Sequence, residues 1–89
     1  MAEYTGQIPE EVDALSAEFE AKAGELEDLK SAISAKLAGT TWSGPDRDRF
    51  EADWESALSA NITLMIQQLR GASQFAANNA QEQRDASNS

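Results

Sequence analysis

The sequence contains no cysteine and no histidine. The first absence removes disulfide staples and the second removes the commonest metal ligand. No apolar run approaches the ~20 residues that span a bilayer, so no stable membrane insertion is expected. The segment Met1 to Gln7 has neither a basic residue nor an apolar core, and does not read as a cleaved leader. Basic charge is scarce: 7 lysines and arginines stand against 16 acids, for a net charge of −9. Such a balance opposes phosphate backbones and anionic lipid, which excludes nucleic acid as a partner. With no histidine, cysteine or glycine-rich phosphate loop, and no convergent pair of carboxylates, the chain is expected to be neither an enzyme nor a cofactor protein. A domain of 89 residues without staples struggles to bury enough surface alone, so a partner is the expected remedy.

Proline is nearly absent too, and its two occurrences are informative. Pro9 and Pro45 both suit the first turn of a helix, where a fixed φ and a missing N–H cost nothing. The expected fold is all-α: helix 1 over about 9–38, a turn over 39–44, and helix 2 over about 45–79. Residues 1–7 read as a short flexible lead, 8–80 as the two-helix unit, and 81–89 as a flexible polar tail without periodicity. On helix 1, Ile8, Val12, Leu15, Phe19, Leu26, Leu29 and Ile33 follow a 4-3 spacing, with Lys22 in the gap. Gly39 fits the position past a helix end, where φ is often positive. Ser43 with Asp46 has the spacing of a capping box, while Gly44 before Pro45 serves equally well as the cap.

Helix 2 has more apolar residues than one stripe can hold. One seam runs Leu58, Ile62, Met65, Leu69, Ala72, Ala76, and a second runs Phe50, Trp54, Ala57, Asn61, Leu64, Gln68, Gly71, Phe75. A single antiparallel neighbour covers one seam, so two neighbours are implied, as in a four-helix bundle. The second seam is therefore the expected dimer or partner interface. Asn61 and Gln68 could set register or partner choice there, and Ala57 and Gly71 could allow close approach. Ile66 falls outside both seams and is expected to be exposed. Asn61-Ile62-Thr63 matches a glycosylation sequon mid-helix and reads as fortuitous. Asp46, Asp48, Glu51, Asp53 and Glu55 alternate with Arg47 and Arg49 and lack a calcium loop's glycine, so no metal site is expected.

A chain of this length with two amphipathic helices joined at Trp42-Ser43-Gly44, followed by an aromatic at Phe50, resembles the WxG-motif early-secreted-antigen (ESX) family of type VII secretion proteins. The resemblance covers about residues 8 to 80. It implies an antiparallel helical hairpin that dimerises into a four-helix bundle, synthesis in the cytoplasm without a leader, and export by the type VII apparatus. The partners it implies are a second copy or a paralogous chain, the secretion ATPase, or a larger secreted toxin. It also implies that Trp42 joins a composite recognition surface, besides plugging the open end of the bundle. The family's tail signal, Tyr-x-x-x-Asp/Glu, has a degenerate counterpart here in Phe75-Ala-Ala-Asn-Asn79; the sole tyrosine is Tyr4. The chain could thus be the signal-less half of a co-exported pair, or an adaptor that completes the bundle of a larger substrate.

Overall fold

A computed structural model describes residues 6–88, with the side chain of Asn88 left aside. What the sequence suggested for residues 1–5, Tyr4 among them, and for Ser89 lies outside the described residues. Three helices form two antiparallel arms: α1 (Pro9–Ala38), then α2 (Pro45–Asp53) and α3 (Ser59–Asn88), which are joined by a single π turn over Trp54–Leu58. The described residues contain no strand, and the rod measures 67 × 18 × 15 Å.

Both arms start on proline, and Glu10 and Glu11, Asp46 and Asp48 occupy the first turns, where they favour the positive end of the helix dipole. The connecting turn is built by Gly44, the N-cap of α2, at φ +109° and ψ −179°. Only glycine adopts that conformation without strain, and no side chain caps the helix. Of the two caps open from sequence, it is therefore glycine that begins the second arm. Gly39 ends α1 with φ −89°, in the right-handed region, so the expected positive φ is not used. Thr40 closes this end instead, donating its hydroxyl to the Lys36 carbonyl and its N–H to the Leu37 carbonyl.

The core between the arms is thin. Ala23, Trp54, Ile66, Ala76 and Ala80 are buried, and among the described residues no large side chain is fully enclosed. The helix 1 seam divides. Val12, Phe19 and Leu26 turn partly inward alongside Ser16 and Ala23, while Ile8, Leu15, Leu29 and Ile33 stay exposed. Ile66, expected outside, is only 5% exposed and sits on the inward line with Ser73 and Ala80. These three follow a seven-residue spacing that includes a serine and an alanine, which an apolar count passes over. Ala80, buried against α1, also helps to explain why α3 continues to Asn88, beyond the limit near Asn79 that polarity suggested. Arg84 adds a cross-arm contact there, pairing with Asp13 and, at 4.0 Å, with Glu10.

One polar clamp crosses the thin core. Ser16 Oγ donates to the Ser73 carbonyl at 2.7 Å and Ser73 Oγ donates to the Ser16 carbonyl at 2.8 Å, with the two hydroxyls 2.9 Å apart. The reciprocal bonds hold the arms at one register near the open end. Ser16→Ala removes one of the two cross-arm bonds but keeps the residue-16 carbonyl that the Ser73 hydroxyl donates to, so a cost of about 0.5–1.5 kcal/mol is expected. Ser73→Ala removes the other bond, and the two losses should add except for what the contact between the hydroxyls contributes. A double-mutant cycle in urea checks this, and a double variant no less stable than either single one would contradict it.

Candidate functional site

The arms leave their two broad sides chemically different. On one side Arg70 of α3 forks onto α1: both of its terminal nitrogens reach the Glu27 carboxylate at 2.9 Å, and Nε meets Glu20 at 3.1 Å. Lys30 donates to Thr63 Oγ1 at 2.7 Å on the same side. Glu27, Lys30, Thr63 and Arg70, with Asp28, Ser31, Ile66 and Gln67, border a largely polar cleft of about 540 Å³. Arg70 is charge-paired at both oxygens of Glu27, so the cleft is a satisfied ionic face rather than a set of orphaned groups.

The Arg70 hydrogen bond, and then its charge, hold the Glu27 carboxyl below its ordinary value of 4.5. A carboxyl whose pKa is lowered by folding stabilises the folded chain above that ordinary value, and the benefit is lost as the pH falls below it. Arg70→Gln should therefore be destabilised at neutral pH and converge on the parent chain in acid. Urea midpoints at neutral and acidic pH test this; a constant gap would dissociate Glu27 from the effect.

The opposite side carries the exposed apolar residues, interrupted on α1 by the exposed Lys22 and Lys36, which fall at seven-residue steps along the line of Leu15 and Leu29. At ~100° per residue, Leu15, Leu29 and Ile33 lie ~50–90° off the inward line of α1, and Leu58 and Met65 lie ~60–80° off that of α3. Seen from one end, antiparallel helices wind in opposite senses, so these two displacements come out on the same side of the hairpin. The contacts of Glu20, Glu27 and Lys30 with Arg70 and Thr63 occupy the other side. Leu15, Leu29, Ile33, Leu58 and Met65 are all exposed. The apolar side is therefore a face shared between both arms, with no covering element among the described residues.

At the tip this face runs into a small cleft of about 260 Å³ lined by Ile33, Lys36, Leu37, Thr40, Trp42 and Phe50. The Trp42 and Phe50 rings lean together with centroids 5.8 Å apart at 42°. Both rings are exposed. Ser43 and Gly44 are exposed backbone of the turn, and a Cβ on Gly44 would meet nothing, so its requirement is conformational. Arg47 folds back from α2 to the Leu37 carbonyl, tying a cation to the carboxy-terminal end of α1.

The second seam of helix 2 does not stay together. Trp54 is 3% exposed and packs within the hairpin, its indole N–H donating to Ser34 Oγ at 2.9 Å. On an unbroken α-helix Trp54 and Leu64 would stand ~80° apart; the π turn inserts about one residue and moves them to ~180°. Spacing alone could not reveal this, since nothing in residues 54–58 marks a π turn except a serine at position 56, whose hydroxyl back-bonds to the Ala52 carbonyl. Ala57, Asn61, Leu64, Gln68, Gly71 and Phe75 remain exposed on the back of α3, away from α1, and Phe75 is 70% exposed. In the degenerate tail motif, the Asn79 amide donates to the Phe75 carbonyl at 3.3 Å and so engages its own helix.

Among the described residues no group of acids is arranged to hold a metal ion, and no helix is long and apolar enough to cross a membrane. No family model matches the chain, and no curated protein or solved structure matches it.

Proposed function

We propose that this chain is a small helical interaction protein that works as half of a four-helix bundle, as a substrate or co-exported partner of a type VII (ESX) secretion system. The observation that carries the reading is the apolar face formed jointly by Leu15, Leu29, Ile33, Leu58 and Met65. A hairpin with so thin a core gains most by covering that face with two further helices. The family assignment rests on the resemblance at Trp42-Ser43-Gly44, between two amphipathic arms. The exposed Trp42–Phe50 pair at the tip suits it to recognition as well as to packing. Export is tested in the native host by deleting the cognate secretion ATPase. The protein should vanish from the culture supernatant and accumulate in cells; an unchanged supernatant level would exclude type VII export.

A second reading is an adaptor that stays in the cell and completes the bundle of a larger type VII substrate. The observation that favours it is the tail region: Phe75 has no hydroxyl to offer, and the Asn79 amide is bonded to its own helix. Retention in the parent strain, beside an exported partner, would select it.

A further inference from the structure

Of the three helices, α2 alone buries no residue. It is a rod of 9 residues set between two points of backbone freedom. Before it stands Gly44, at a positive φ that only glycine takes without strain. After it the helical bonding is loose. The Trp54 N–H is shared between the Phe50 and Glu51 carbonyls, and the Ser56 hydroxyl bonds back to the Ala52 carbonyl at 2.7 Å. The Ser59 N–H then reaches five residues back, to the Trp54 carbonyl. The far side of this joint is firm. Trp54 is buried and bonded to Ser34, which fixes the joint to α1.

Phe50 and Arg47 hold α2 against the end of α1. Phe50 leans on Trp42 and lines the small apolar cleft with Ile33 and Leu37. Arg47 is a weak clasp. It donates from Nη2 to the Leu37 carbonyl at 3.4 Å, longer than an ordinary hydrogen bond. Its Nε is buried without a hydrogen-bond partner, and the Glu51 carboxylate stands 3.8 Å away, too far to accept. A buried donor left unpaired is costly, and lifting α2 lets water satisfy it. Opening therefore regains at Arg47 part of what it loses at Phe50.

We propose that α2 is a hinged lid over the apolar cleft at the tip. It lifts as a unit, Gly44 to Asp53, about its joint with the π turn. Phe50 is then parted from Ile33 and Leu37, and the cleft widens without unzipping the arms. Throughout, α1 and α3 keep Trp54, the Ser16–Ser73 clamp and the pairs made by Arg70 and Arg84.

Amide hydrogen exchange of the full chain, followed residue by residue by NMR at low protein concentration, separates a local opening from global unfolding. After correction for intrinsic rates, the amides of Arg49 to Asp53 should exchange at least ~10-fold faster than those of Ile62 to Ala76. Equal rates would overturn the proposal, because α2 would then open only with the whole hairpin. A second arm deletes Ala57, an exposed residue of the π turn. The deletion removes the extra residue and leaves Trp54 and Ile66 nearly in line on a regular helix. With the joint regularly bonded, exchange of Arg49 to Asp53 should slow at least ~3-fold relative to Ile62 to Ala76. A folded deletion variant whose α2 exchanges as in the parent would show that the π turn is not the pivot, and would overturn the proposal. Phe50→Ala decides the matter if the deletion variant does not fold. It should speed exchange in Arg49 to Asp53 several-fold and leave Ile62 to Ala76 unchanged. Rates unchanged in both segments, or raised equally in both, would overturn the lid.

Discussion

Trp54→Ala should leave the chain largely unfolded at room temperature. Trp54 is the largest of the buried side chains, and it ties the π turn to α1 where α2 contributes no buried residue of its own. Truncating a buried tryptophan to alanine costs about 3–5 kcal/mol. A small core without staples rarely supplies more than about 3–5 kcal/mol in total. The two figures meet, so the substitution should remove most of the helical circular dichroism signal. Trp54→Phe keeps a ring in the site and gives up the bond to Ser34, which is exposed and can bond water instead; about 1–2 kcal/mol is expected. Trp42→Ala, at an exposed position, should cost clearly less than Trp54→Ala. Equal losses for the two tryptophans would refute the assignment of the core to Trp54.

The second large effect concerns association. Leu29→Asp with Met65→Asp places a carboxylate on each arm at the centre of the apolar face. Burying an unpaired charge against apolar side chains costs several kcal/mol, so dimer affinity should fall by more than ~100-fold. Both residues are already exposed in the hairpin, so its own stability should change little. Leu64→Asp with Phe75→Asp tests the alternative surface on the back of α3. Because that surface faces away from α1, the pair should leave the dimer mass nearly unchanged if the shared face is the interface.

How much of this was legible in the sequence depended on the period of the helix. Pro9 and Pro45 marked the two helix starts because proline's constraint is local, and Gly44 was readable for the same reason. The division of the helix 1 seam was not legible. Apolar residues at 4-3 spacing span both the inward line and one flank, and only the neighbour decides which part is covered. Ser16 and Ser73 were invisible as core residues, since their burial depends on each other. Sequence arithmetic at a constant 3.6 residues per turn put Trp54 with Leu64, and the π turn parts them. The same arithmetic left Ile66 outside, although the inward line of α3 runs through it. The extension of α3 to Asn88 rests on Ala80 and Arg84, residues that carry little weight in a hydrophobic pattern but find partners across the hairpin.

For function, the sequence offered a motif and the structure offers a surface. Trp42-Ser43-Gly44 is now placed as a turn whose glycine is required by its backbone and whose tryptophan leans on Phe50 beside a small apolar cleft. The partner surface is best supported on the side shared by both arms. The back of α3, with Leu64 and Phe75, would need a further element to be drawn in.

The most direct measurement is the solution mass of the chain by light scattering at high salt, where repulsion between two copies of net charge −9 is screened. The parent chain should approach twice its 9.6 kDa mass as its concentration rises, and the variant carrying Leu29→Asp and Met65→Asp should stay at 9.6 kDa. A variant that dimerises as readily as the parent would contradict the account.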